Sequence, residues 1–218
     1  MDNTLFIGGV CGNEILGRYD LSTESPSWVS LEIPEQLKRS GKSIDDLLID
    51  GDRLIAVDNM VFPKWLLLYN IPKPDSPQLC SYPKLERHGS YEKISMGALG
   101  LNWVALLSSS TGRNGSCTYI SLMKKNELIE KVVITHNPPP HLPDTPLEDA
   151  DSLSFRWEKI CFLEDVLLIA AYKGGIGVLD LTEAPYATKP FYCFPKFISG
   201  NSVIDIISIP SAKEVIII

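Results

Sequence analysis

Arg156-Trp-Glu-Lys-Ile-Cys-Phe162, then Leu167-Leu-Ile-Ala170, then Ile176-Gly-Val-Leu-Asp-Leu181: this stretch decides how the chain reads. Each run is short and rich in Val, Ile, Leu and aromatic residues. Turn residues separate them, with Gly174-Gly175 between the second and the third. Brief β-branched and aromatic runs bounded by turn residues are the signal of strands.

Working outward, the first run recurs as Ser43-Ile-Asp-Asp-Leu-Leu-Ile49, Ser90-Tyr-Glu-Lys-Ile-Ser-Met96 and Ser202-Val-Ile-Asp-Ile-Ile-Ser208. The closest match is Tyr91-Glu-Lys-Ile94 against Trp157-Glu-Lys-Ile160. The second run recurs as Leu5-Phe-Ile7, Leu54-Ile-Ala-Val57, Val104-Ala-Leu-Leu107 and Val215-Ile-Ile-Ile218. The third recurs as Ile15 to Leu21, Trp65 to Ile71 and Thr118 to Leu122. A weaker fourth is Trp28 to Ile33, Gln78 to Tyr82, Leu128 to Ile134 and Phe191 to Phe197. Asp50-Gly51-Asp52 reads as a tight hairpin turn, because glycine tolerates positive φ. Pro34 to Ser40 is a single helical turn, with Pro at its start and Gly41 after it.

With Leu47, Ile94, Ile160 and Ile206 as anchors, the intervals are 47, 66 and 46. The middle interval holds an insert of about 20 residues beyond the base period. Four strands per ~45 residues is the spacing of a propeller blade. One such sheet has two apolar faces, and radial stacking covers each with its neighbour. The chain thus resembles the β-propeller repeat superfamily, WD40-like or kelch-like in pattern, over nearly its whole length. It lacks the Trp-Asp dipeptide and Gly-His start of WD40 blades and a regular kelch glycine pair. The resemblance implies an all-β fold of four-stranded antiparallel blades, and no functional residues carry over.

The expected blades are 1–34 (partial), 43–83, 90–134, 155–197 and 202–218 (partial), in one propeller-like domain with a Pro-rich insert at 135–152. That makes four to four and a half blades. Val215 to Ile218 would compete with Leu5 to Ile7 for one slot, and an apolar terminal strand is an aggregation hazard. The expectation is an incomplete ring.

In a propeller, the loops entering each first strand and those joining second to third strands build one rim. Ligand and partner contacts concentrate on such rigidly mounted loops. The entering loops supply His88, Tyr91 and the segment 135–157, including His136, His141, Asp144, Arg156 and Trp157. The other loops, at 8–14, 58–64, 108–117 and 171–175, supply Arg113. Thr111-Gly-Arg-Asn-Gly-Ser116 lacks the Lys-Ser/Thr ending of a phosphate cradle and reads as a hairpin loop. Pro138-Pro-Pro-His-Leu-Pro-Asp-Thr-Pro146 has five prolines in nine residues and reads as polyproline-like, either a docking strap or a stiff connection. Three histidines without ligand spacing on a regular element are not a metal site. The tryptophans at 65, 103 and 157 are expected as packing, with Trp157 also a candidate at the channel mouth.

Hydrophobic content of 44% and charged content of 22% exclude a disordered chain. A formal net charge of −7 argues against nucleic acid as partner, and no apolar run is long enough for a membrane helix. The five cysteines, at 11, 80, 117, 161 and 193, are odd in number and contain no C-x-x-C. With no basic start and long apolar leader, they point to a reducing, cytoplasmic compartment, with Cys161 and Cys193 as buried thiols.

No catalytic motif is present, and no cofactor, metal or catalytic residue is expected. The reading that follows is a non-catalytic scaffold binding protein or peptide through its rim. Open edge strands would also allow self-association. Two alternatives stand beside it. One is a channel-mouth enzyme of hydrolase or lyase type, using His88, His141, Arg113 and Asp144. The other is a fragment of a larger propeller without activity of its own.

Overall fold

A computed structural model describes residues 3–9, 15–37, 43–58, 64–72, 76–85, 92–112, 115–135, 157–172, 174–183, 190–193, 202–209 and 211–218. These residues form an all-β structure of five antiparallel sheets. The only helical segment among them is one 3-10 turn, Glu35–Leu37. No helix among them is long and apolar enough to cross a membrane. The chain divides into two units, Met1–Lys93 and Ile94–Ile218.

The first unit holds two sheets. One is β1 (Thr4–Gly8), β2 (Leu16–Asp20) and β3 (Trp28–Ser30). The other is β4 (Ile44–Asp50), β5 (Arg53–Asp58), β6 (Leu66–Asn70) and β7 (Gln78–Ser81). Each sheet is a meander in chain order. Leu54, Ile55, Ala56 and Val57 of β5 are all buried, so this strand is covered on both faces. Phe6, Leu16, Ile44, Leu54, Ala56, Leu67 and Tyr69 share one core cluster joining the two sheets. The Tyr69 hydroxyl donates to the Glu32 carbonyl at 2.6 Å. Burying each such Leu, Ile or Phe contributes roughly 1.5–3 kcal/mol.

The second unit holds three sheets. The first is β8 (Glu92–Leu99), β9 (Trp103–Gly112), β10 (Gly115–Lys124) and β11 (Glu130–Thr135). Next come β12 (Lys159–Leu163), β13 (Val166–Ala170), β14 (Ile176–Asp180) and β15 (Phe191–Cys193). The last is the pair β16 (Ile206–Ile209) and β17 (Glu214–Ile217). Strand alternation splits β12–β15 cleanly in two. Ile160, Phe162, Leu167, Ile169 and Leu179 pack with Trp103, Ala105, Leu107 and Ile120 of the preceding sheet. Cys161, Leu168 and Val178 face the other way, toward Ile206, Val215 and Ile217. Gly100 lets the sheets approach, since an added Cβ would lie 2.7 Å from the Glu164 oxygen and 2.8 Å from the Phe162 ring.

Each run read as a strand coincides with a strand of the structure, shifted by a few residues at some ends. The exceptions in extent are instructive. Residues 108–117, read as a loop, are mostly strand: β9 and β10 pair out to Gly112 opposite Gly115. A Ser/Thr/Gly-rich stretch looks like loop, but cross-strand pairing carries it as a long hairpin arm. Conversely, β16 starts only at Ile206; Val203 before it forms an isolated bridge to Tyr172.

One device recurs in four of the sheets. The residue immediately before the second strand of each run-set is Asn3, Asp52, Asn102 or Asp165. Its carbonyl accepts the N–H of the residue just after the third strand. The pairs are Leu21 to Asn3 (2.6 Å), Ile71 to Asp52 (2.5 Å), Lys125 to Asn102 (3.0 Å) and Leu181 to Asp165 (3.0 Å). Asn and Asp suit such turns because their side chains satisfy nearby backbone groups. Gly51 at φ 58° and Glu164 at φ 56° take the equivalent preceding position, the left-handed residue of the hairpin.

Candidate functional site

The sheet β4–β7 ends in a cluster of buried polar groups. Asp58, the last residue of β5, is 1% exposed; Lys64, just before β6, is 1%; Ser43, just before β4, is 0%. Backbone pairing brings them to one end of the sheet. Ile44 stands opposite Asp58 across β4 and β5. The Asp58 N–H donates to the Trp65 carbonyl at 3.0 Å, and the Lys64 carbonyl accepts from Leu85 N–H at 2.9 Å. The Ser43 hydroxyl is buried without a hydrogen-bond partner among the described residues. Burying an acid and an amine costs several kcal/mol each unless each is compensated. Both residues have interactions with their surroundings.

Six residues beyond Asn3, Asp52, Asn102 and Asp165 stand Gly9, Asp58, Ser108 and Ala171. Three of these four equivalent positions carry small uncharged side chains. Only β4–β7 places a carboxylate there. An acid that ends an otherwise apolar strand, followed six residues later by a lysine that starts the next, was the available sequence signal. That signal does not by itself imply burial, because a charge at a strand end is normally solvated.

This is the same end at which the rim was expected. Of the expected rim residues, His88, Tyr91, Arg113, His136, His141, Asp144 and Arg156 lie outside the described residues, as does the Pro-rich insert. Trp157 is described, and it is 5% exposed within the core that joins β8–β11 to β12–β15. Ile44 and Val203 hold the same position, three residues before the Leu47 and Ile206 anchors, and both are buried. That position is a packing position, which is the role the structure gives Trp157.

Cys80 is exposed and Cys161 half-buried, and both are free thiols. Burial pushes the Cys161 thiol up to about 11, against an opposing hydrogen bond from Ser208. Such a thiol is a weak nucleophile at neutral pH. Among the described residues, no group of three His, Cys, Asp or Glu side chains could hold a metal ion. No protein-family model matches the chain, and no curated protein matches it either.

Proposed function

We propose that the chain is a β-propeller-type scaffold that binds a protein or peptide through the loops at the Ser43–Asp58–Lys64 end. The observation that carries the reading is how successive sheets meet within each unit. The Ile44 N–H, entering β4, donates to the Gly9 carbonyl just past β1 at 3.4 Å. The Val203 N–H, before β16, donates to Tyr172 just past β13 at 2.9 Å. In both junctions the approach to a first strand is fastened to the end of the preceding sheet's second strand. That is the neighbour relation expected of propeller blades, and it supports the reading. The buried polar trio supports the same end, since buried charge there holds loop stems in fixed positions. The free thiols of Cys80 and Cys161 fit a cytoplasmic setting.

The test compares three baits from the expressing cell. These are the whole chain, a rim variant carrying His88→Ala, Arg113→Ala and His141→Ala, and an opposite-end variant carrying Arg53→Ala. A protein retained by the whole chain and by Arg53→Ala, and lost with the rim variant, is the expected result. Equal retention by all three overturns the rim assignment. Turnover of an ester or glycoside substrate that disappears in the rim variant replaces it with the enzymatic alternative.

A further inference from the structure

The dipeptide Ser-Pro occurs twice in the chain, at Ser25-Pro26 and at Ser76-Pro77. Both occurrences fall at the same place in the fold. Ser25 lies in the loop from β2 to β3 and Ser76 in the loop from β6 to β7, and each loop leads into the outer strand of its sheet. The loops start where β2 and β6 end, at the backbone bonds from Leu21 to Asn3 and from Ile71 to Asp52. In β4–β7 that is the end away from Ser43, Asp58 and Lys64.

Residues 21–27 are exposed throughout, and Ser76 is exposed as well. The fold makes no use of either serine hydroxyl. Where it does use hydroxyls in such loops, they close turns: Ser22 donates to the Asp20 carboxylate at 2.5 Å and Thr182 to that of Asp180 at 2.6 Å. Neither the Ser25 nor the Ser76 hydroxyl hydrogen-bonds another described residue. The prolines have a role of their own, since a proline ahead of an outer strand withholds an N–H from edge pairing. Pro190 stands in that place before β15 with Lys189 ahead of it, so the edge does not call for a serine.

We propose that Ser25 and Ser76 are phosphorylation sites, each accepting the γ-phosphoryl group of ATP from a proline-directed serine kinase. The serine Oγ forms the new bond to phosphorus, the bond to the β–γ bridging oxygen breaks, ADP departs, and the hydroxyl proton passes to the kinase's catalytic carboxylate. Proline after the acceptor suits such an enzyme on two grounds. It keeps the serine out of helical geometry, and it brings no N–H that an apolar cleft would have to desolvate. A loop as exposed as 21–27 can enter a cleft without opening the core. Each phosphate adds a charge of about −1.5 to −2 at neutral pH. Ser25 has Glu24 beside it and Asp20 at the start of its loop, so its phosphate meets like charge and projects outward, where Arg or Lys of a partner can pair with it. This inference is independent of the rim.

The test maps phosphate by tandem mass spectrometry in two samples of the full chain. One is the purified chain treated with a cyclin-dependent kinase and magnesium ATP. The other is the chain recovered from the expressing cell with phosphatases inhibited. Phosphate at Ser25 and Ser76 is expected in both, with Ser22, Thr23 and Ser27 of the same exposed loop unmodified. Ser25→Ala and Ser76→Ala should each remove their own site alone and leave the circular dichroism unchanged, because neither hydroxyl holds the fold. Pro26→Ala and Pro77→Ala keep the acceptor and should slow its modification about tenfold or more. Phosphate missing from both serines in either sample overturns the proposal. Modification that persists at full rate in the proline variants, or spreads over Ser22, Thr23 and Ser27, overturns it too, since exposure alone would then account for it.

Discussion

Asp165 does more than its place in a hairpin suggests. Its carboxylate accepts the Asn102 backbone N–H at 2.7 Å and the Asn102 side-chain amide at 2.5 Å, while its own carbonyl accepts from Leu181. It is 5% exposed. Asp165→Ala strands both Asn102 donors and should cost about 1–3 kcal/mol in urea unfolding. Asp165→Asn keeps one acceptor and should cost less. Gly100 is the second sensitive point at this contact. Gly100→Ala meets a backbone oxygen and an aromatic ring, which cannot both yield, and should destabilise by about 1–3 kcal/mol in the same assay. The Asn/Asp series at 3, 52, 102 and 165 was written plainly in the sequence. Its purpose was not, because the carbonyl that matters is indistinguishable from any other until its partner strand is placed.

At the scale of elements, two kinds of contact carry pH dependence. Asp20 and Asp180 close equivalent turns after β2 and β14. Asp20 accepts from the Ser22 hydroxyl and N–H, and Asp180 from those of Thr182. These hydrogen bonds hold both carboxyls below the usual carboxylate range. A depressed pKa contributes stability above the unfolded value that disappears as pH falls through the folded one. The double variant Asp20→Ala, Asp180→Ala should therefore flatten the acid limb of a thermal-midpoint-versus-pH curve. Cys161 has the opposite sign. Its thiol is raised to about 11, so its contribution is complete below about 9 and fades as pH climbs toward 11. Ser208 of β16 hydrogen-bonds this thiol, so its reactivity reports the docking of β16–β17 on β12. At pH 8, iodoacetamide should modify Cys80 about tenfold or more faster than Cys161, read by mass spectrometry of the digested chain. Comparable rates would mean that the hairpin peels away readily. The strands themselves were readable because period-two alternation and turn residues act locally. The length of β9 and β10 was not, since only cross-strand pairing makes strand of a Ser/Thr/Gly-rich stretch.

For the whole molecule, the division at Lys93 and Ile94 has a consequence that can be measured. The second unit contains its own core, with Trp103, Leu107, Ile120, Phe162, Leu167 and Leu179 in one cluster and Ile176, Val203 and Ile206 in another. Residues 94–218 expressed alone should give the circular dichroism of antiparallel sheet and one cooperative unfolding transition. A non-cooperative baseline would show that this core needs the first unit. Local chemistry along the chain was enough to set the all-β class, the sequence of strands and the hairpin turns, since alternation, β-branching and glycine or Asx turns act within a few residues. Packing alone settled the rest. It buried Asp58 and Lys64 at a strand end, chose core over channel mouth for Trp157, and left Phe191 exposed. Burial is a property of what lies opposite, and what lies opposite comes from residues distant in the chain.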